Sequence, residues 1–158
     1  MQTRRISGFL SKALMNPKGK NIKTMEDTSM SMRKEAELWF LQAEEELDTA
    51  SISFEAKKWF AVAFWCEQSA EKALKAVYIE KKKLMPQKIH SLTELGKQVS
   101  IPSELATMLI HLKKEYMMSR YPDISGDAPY KLYDQKDAER NLDYARKIIK
   151  WVRSKLNR

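Results

Sequence analysis

The sequence predicts an all-α protein, an up-and-down bundle of four main helices plus a short helix. Of its 158 residues, 43% are apolar and 32% are charged, whereas only four are Gly and five are Pro. This composition suits helices with solvated outer faces better than strands joined by many tight turns. Apolar residues also recur in steps of three and four over several long stretches, which is the spacing of one helix face.

Two of the predicted helices are defined by regular apolar stripes. The first helix begins near residue 33, and the last begins at Asp134, with Asp137 three residues on. Each repeats its apolar residues in steps of 4, 3, 4, 3 and 4, which suits a helix that buries one face. The stripes are Ala36, Phe40, Ala43, Leu47, Ala50 and Phe54 in the first helix and Ala138, Leu142, Ala145, Ile149, Val152 and Leu156 in the last.

The second predicted helix runs from about Phe60 to Lys83 without Gly or Pro. It is dense in apolar residues, which predicts that it is the central and most buried helix. Ser91 and Glu94 have the spacing of a capping box and predict a short third helix. A fourth helix follows Pro102, and short links between helices favour antiparallel neighbours. The inward stripe of the fourth helix is predicted to be Leu105, Met108, Leu109, Leu112 and Tyr116.

Residues 1–32 differ from the helical domain at residues 33–158. Residues 1–34 hold eight basic and two acidic side chains, whereas the other 124 residues hold 21 and 19. We expect residues 1–32 to be a disordered basic leader, and its patch Ile6–Met15 is amphipathic. A transit peptide and an overlong gene model remain open. A basic segment of this kind can also bind polyanions by releasing counterions.

Residues 119–133 contain Pro122, Gly126 and Pro129 and are not expected to form a continuous helix. Long irregular segments are disproportionately functional. We therefore expect any binding site to include this segment.

Two carboxylates interrupt the apolar stripe of the second helix, at Glu67 and Glu71. A carboxylate beside the core needs a partner, because leaving it buried, charged and unpaired is costly. Arg120, directly after the fourth helix, is the first predicted partner, and His90 is the second. Such contacts would either tie the long loop to the bundle or help to bind a ligand.

Four motifs in this order resemble the HEPN domain, the "higher eukaryotes and prokaryotes nucleotide-binding" family, over residues 33 to about 156. The resemblance implies a bundle of four main helices and a short one, a homodimer, and in many bacterial and archaeal members a minimal nucleotidyltransferase as partner. The motifs are Glu35–Trp39 with a following Ala43, Gln68–Ala76, His90–Leu92 and Ser119–Asp123.

Many HEPN proteins are metal-independent ribonucleases, often toxins of toxin–antitoxin pairs, with an Arg and a following His that are separated by four to six residues. That spacing is absent here, because residues 83–85 before His90 and 104–106 before His111 include no Arg. No His follows Arg120. The family's usual acid–base group is therefore missing, and no catalytic residue is predicted.

Three functions remain open from the sequence. The one we predict is a nucleotide- or partner-binding module in which Glu71, His90, Arg120, Tyr121 and Asp123 frame a cleft. The second is a ribonuclease-like toxin component with a non-standard active site, in which Arg120 acts on RNA with a tyrosine or aspartate of the long loop. The third is a purely structural dimerisation module.

Other features exclude several classes of protein. Cys66 is the only cysteine, so an intrachain disulfide or a cysteine metal cluster is not possible. The chain has no run of about 18 apolar residues, no Gly-rich phosphate loop and no paired-histidine metal motif. We expect a cytoplasmic protein that uses no cofactor, no metal and no membrane.

Overall fold

A computed structural model describes residues 25–86 and 89–157, and no strand occurs among these residues. The predicted all-α bundle is confirmed. The helices are α1 Met25–Glu55, α2 Trp59–Lys82, α3 Leu92–Val99, α4 Ser103–Lys113, α5 Glu115–Met118, α6 Pro122–Ser125 and α7 Gln135–Lys155, with a 3-10 helix at Pro129–Lys131. The main helices are α1, α2, α4 and α7, whereas α3 is short and α5 and α6 are single turns.

The helices α2 and α7 each run antiparallel to α1. A three-residue turn joins α1 to α2, and the Ser69 hydroxyl of α2 donates to the Ala43 carbonyl of α1 at 2.7 Å inside the bundle. Arg153 of α7 pairs with Glu44 of α1 at 2.5 Å. These contacts fix the order of the three longest helices around one core.

Alanines line the contacts among these three helices. The distance between packed helix axes depends on the side chains at the contact, so small residues allow close approach. The fully buried alanines are Ala43 and Ala50 in α1, Ala63, Ala70, Ala73 and Ala76 in α2, and Ala138 and Ala145 in α7. As predicted, α2 is the helix with the most buried residues.

Polar side chains fix the starts of two helices as the sequence predicts. The Ser91 side chain accepts from the Glu94 amide at the start of α3. At the start of α7, Asp134 and Asp137 form a reciprocal capping box. Each cap satisfies a backbone donor that the first turn of a helix leaves unpaired.

Two boundaries differ from the prediction. The helix α1 begins at Met25, eight residues before the predicted start, since residues 25–32 contain no Gly or Pro and place Glu26 and Asp27 at the positive end of the helix. Residues 1–24 of the predicted leader lie outside the described residues. The predicted fourth helix is interrupted at Lys114, which separates α4 from α5.

Because the helix is interrupted at Lys114, the predicted inward stripe of the fourth helix is wrong at Tyr116. Tyr116 is 37% exposed, whereas its neighbour Glu115 is 3% exposed. The turn directs the carboxylate inward because Tyr133 is available there to donate a hydrogen bond to it. Tyr116 lies at the surface instead.

We expect Ala70→Leu to lower the free energy of unfolding by about 1–3 kcal/mol, because added methylene groups cannot fit a closely packed core. Urea denaturation would measure the change. Ala56→Leu is the matched control, since Ala56 is exposed in the turn after α1, and it should change stability by less than about 0.5 kcal/mol. Equal effects of the two substitutions would contradict the close packing of α1 and α2.

Candidate functional site

Arg120 lies among three aromatic rings contributed by different parts of the bundle. Its guanidinium carbon is 4.6 Å from the ring centre of Tyr116, 5.0 Å from Tyr121 and 5.1 Å from Phe64. It also donates to the Tyr121 hydroxyl at 2.5 Å. Aromatic faces attract a guanidinium without neutralising its charge. We call these four residues the Arg120 platform.

The predicted pairing of Arg120 with Glu67 or Glu71 is not what the structure shows. Within residues 25–86 and 89–157, Arg120 forms no ion pair with any carboxylate, and its side chain is exposed. Asp123 is also exposed, in the first turn of α6. The aromatic rings hold the guanidinium in place, so its terminal nitrogens can still bind an anion.

A cavity of about 300 Å³ opens beside the base of α2. Trp59, Phe60 and Tyr130 supply aromatic walls, and Lys57 and Lys58 supply positive charge. Phe60 is one helical turn before Phe64 on the same face of α2, about 6 Å along the helix axis. The cavity and the Arg120 platform therefore lie along one face of the molecule.

Glu71 and His90, two of the predicted site residues, lie together further along α2. His90 Nδ1 is 3.5 Å from Glu71 Oε1, which confirms His90 as a partner of this carboxylate. The main partner is Lys75, whose Nζ lies 2.5 Å from the same oxygen and 5.2 Å from the ring centre of Trp39. An i,i+4 spacing predicts such a Glu–Lys pair, so this partner was readable from the sequence.

The five predicted site residues thus form two groups. Arg120, Tyr121 and Asp123 follow one another at the end of α5 and the start of α6, whereas Glu71 and His90 lie near the far end of α2. Phe64 and Glu71 are seven residues apart on one face of α2, which separates their levels by about 10 Å. At this separation the two groups are not in direct contact, but a small ligand is long enough to reach from one to the other.

Glu67 lies between the two groups and is 1% exposed. Its Oε2 accepts from Gln68 Nε2 at 2.8 Å. Burial raises the pKa of Glu67 to about 7, and the charge of Glu71 adds to this effect, while the hydrogen bond from Gln68 opposes it. Glu67 is therefore partly protonated at neutral pH.

A second cluster, not predicted from the sequence, joins α4, α5 and α7. Arg140 Nε donates to His111 Nε2 at 3.1 Å, and Arg140 also pairs with Asp137 at 2.5 Å. His111 Nε2 is 3.7 Å from Glu115 Oε1, and Glu115 accepts from the Tyr133 hydroxyl. Four of these five residues line a cavity of about 150 Å³.

The environment shifts three ionisable groups of this cluster. Burial lowers the pKa of His111, and the charges of Lys114 and Arg140 lower it further. Burial raises the pKa of Glu115, against the hydrogen bond from Tyr133. Burial and the neighbouring carboxylate raise the pKa of Tyr133. At neutral pH His111 is uncharged and Tyr133 keeps its proton.

Two sequence spacings pointed to parts of this cluster. His111 and Glu115 are four residues apart, and Asp137 and Arg140 are three apart, both within contact distance on a helix. The contact between His111 and Arg140 spans 29 residues of sequence. It depends on how α4 crosses α7, which no local pattern specifies.

The described residues provide neither a membrane-spanning helix nor a metal centre. None of their helices combines the length and apolar character needed to cross a bilayer. No group of three or more His, Cys, Asp or Glu side chains in this part of the chain could hold a metal ion. Cys66 is buried, and burial raises the pKa of its thiol far above the usual range, so it is a core residue.

Comparison with known proteins agrees with this architecture. TT1696 from Thermus thermophilus has a crystal structure that matches with a TM-score of 0.69 at 31% identity, over 76% of this chain and 97% of that chain. ST0689, described as an archaeal HEPN homologue, matches with a TM-score of 0.67 at 30% identity, over 77% of this chain and 97% of that chain. No curated protein matches the chain.

The helical bundle places the chain in a class of small all-α domains. The HEPN domain model matches residues 36–155, which is most of the chain. This protein belongs to the HEPN domain family, as the four motifs indicated.

We expect Glu67→Gln to stabilise the protein above pH 7. An unfolded Glu ionises near pH 4.3, whereas folded Glu67 ionises near 7, so folding loses stability as the pH rises between these values. The loss in the wild-type protein is on the order of 4 kcal/mol, at about 1.4 kcal/mol for each unit of pKa.

Urea denaturation between pH 4 and 8 would measure this loss. The Glu67→Gln variant should show a smaller fall in stability across that range, and Glu45→Gln, at an exposed position of α1, is the control. Parallel pH profiles for the wild-type protein and Glu67→Gln would contradict the raised pKa.

Proposed function

We propose that this HEPN protein is a nucleotide-binding module and that Arg120 binds the phosphate. The observation that carries the proposal is the environment of Arg120, an exposed guanidinium held by three rings and paired with no carboxylate of the described residues. A planar guanidinium suits bidentate contact with phosphate oxygens. Because its orientation is already fixed, binding costs less conformational entropy.

The cavity beside Phe60 supports a nucleotide over a simple anion. Its volume of about 300 Å³ and its aromatic walls suit a nucleobase, since stacking on aromatic rings is a common mode of base recognition. Lys57 and Lys58 add positive charge at its edge. In this arrangement the base would occupy the cavity, and the phosphate would bind Arg120 further along the same face.

Tyr121 and Asp123 complete the proposed site on the side of the long loop. The Tyr121 hydroxyl accepts from Arg120 and so orients the guanidinium. In this proposal the exposed carboxylate of Asp123 accepts from a ribose hydroxyl or a base amine. Glu71 and His90 form the far end of the site in this proposal, and the exposed imidazole of His90 provides a second polar contact to the ligand.

The proposal extends to assembly. We propose that the module acts as a homodimer and together with a minimal nucleotidyltransferase, as part of a toxin–antitoxin pair. Membership of the HEPN family supports both partners. The titration described next does not depend on either of them, because it measures nucleotide binding to the purified chain.

We expect Arg120→Ala to weaken nucleotide binding roughly 10- to 100-fold, because a charged hydrogen bond is worth about 1.5–3 kcal/mol. Calorimetric titration with adenosine and guanosine mono-, di- and triphosphates would measure it. Arg120→Lys should recover only part of the affinity, since lysine keeps the charge and lacks the planar fork.

Arg146→Ala is the matched control, because Arg146 is also exposed but lies on α7 beside Ser51 of α1. It should bind like the wild-type protein. If Arg120→Ala binds normally but melts at a much lower temperature, Arg120 serves only to hold the long loop, and the proposed phosphate site is wrong.

The second cluster favours one other candidate function, RNA cleavage. Arg140 and His111 form an Arg–His contact across two helices, although the sequence lacks the usual spacing between these residues. The uncharged imidazole of His111 can accept a proton at Nε2 when its hydrogen bond from Arg140 is released, and Arg140 carries positive charge next to it.

This candidate predicts that the purified protein cleaves single-stranded RNA in the presence of a metal chelator. His111→Ala should abolish the cleavage, and Arg120→Ala should retain at least part of it, since Arg120 lies outside this cluster. Gel analysis of the RNA would test both. Intact RNA after prolonged incubation with the wild-type protein would exclude the candidate.

A further inference from the structure

The outer face of α1, opposite the core, carries a second apolar stripe. Leu38 is 53% exposed, Leu41 is 51% exposed and Ile52 is 62% exposed. Glu45 and Asp48 continue the same steps of three and four, so all five side chains share one face of the helix. No other described element covers these three apolar side chains, and exposed apolar patches often mark interaction sites.

This face is also acidic. Its acidic members are Glu45 and Asp48, and Lys34, four residues before Leu38, is its basic member. Glu45 and Asp48 form no ion pair within the described part of the chain. A partner for this face therefore needs apolar side chains flanked by positive charge.

Residues 1–24, which lie outside the described residues, have this composition. They contain six basic side chains and no acidic one. Their apolar residues Ile6, Phe9, Leu10, Ala13 and Leu14 have the i, i+3, i+4, i+7, i+8 spacing of one helix face. The segment thus complements α1 in both charge and apolar pattern.

The chain length allows the segment to fold back on α1. Nine residues separate the patch Ile6–Met15 from Met25 and can span about 30 Å. Leu38 and Ile52 are 13 and 27 residues beyond Met25, which is about 20 and 40 Å along a helix. The connection therefore reaches the Leu38 end of the stripe, and the length of the patch itself extends the reach toward Ile52. Pro17 and Gly19 lie in this connection, where they favour a reversal of chain direction.

We propose that the amphipathic segment Arg4–Met15 docks on the outer face of α1 of the same chain, along the stripe from Leu38 to Ile52. Its apolar side chains pack on the exposed apolar residues of this stripe, and Arg4, Arg5 and Lys12 pair with Glu45 and Asp48. The segment is thus an intramolecular partner of the HEPN domain.

A spin label attached at Asn16→Cys in the full-length protein would test the proposal. The label would react at this position and not at Cys66, which is completely buried. We expect selective loss of the methyl NMR signals of Leu38, Leu41 and Ile52. The Ile110 methyl signals, from an equally exposed side chain on α4, should remain and serve as the control.

Charge reversal and mixing would complete the test. Glu45→Lys combined with Asp48→Lys should restore the three signals without changing the melting temperature, since both positions are exposed.

Isotope-labelled chains without the spin label, mixed with spin-labelled unlabelled chains, should keep their signals. Signal loss in this mixture would show that a second copy covers α1 and would overturn the proposal. The absence of selective signal loss in the spin-labelled protein itself would show that the segment does not dock, and would also overturn it. Signal loss that survives the charge reversal would also overturn it, since the pairing with Glu45 and Asp48 would then be absent.

Discussion

The burial of α2 on nearly all sides is the constraint on which the rest of the structure depends. Alanines on α1, α2 and α7 bring the three helices close together, and the hydrogen bond from Ser69 to Ala43 lies inside this contact. A helix enclosed in this way cannot rotate or slide without opening the core. Its partly exposed residues are therefore held at fixed positions and can serve as a base for surface sites.

Both groups of the proposed nucleotide site use this fixed helix. Phe60 forms a wall of the aromatic cavity, Phe64 supports Arg120, and Glu71 contacts His90. Between them, Glu67 keeps a carboxyl group in the core, where burial favours its protonated form. The buried helix thus sets the spacing of these groups along one face. The segments that follow α4 add the remaining residues of the proposed site.

The sequence predicted the helices well because the residues that define each helix lie close together in the chain. Apolar spacing identified the stripes of α1 and α7, and capping residues placed the starts of α3 and α7. The error at Tyr116 arose because a single turn at Lys114 exchanged the roles of two neighbouring residues, and that turn depends on Tyr133, 18 residues away. The site was less predictable for the same reason: the partners of Arg120 are rings brought together by packing, and a search for opposite charges could not find them.

The turn at Lys114 also has a consequence for how the protein tolerates change. Glu115 faces the cavity near Tyr133, and the next residue, Tyr116, faces Arg120. Inserting or deleting one residue here would rotate both side chains out of place at once. We therefore expect this short link to keep a constant length among related proteins even where its residues vary. The reason is that this one turn positions a residue of each cluster.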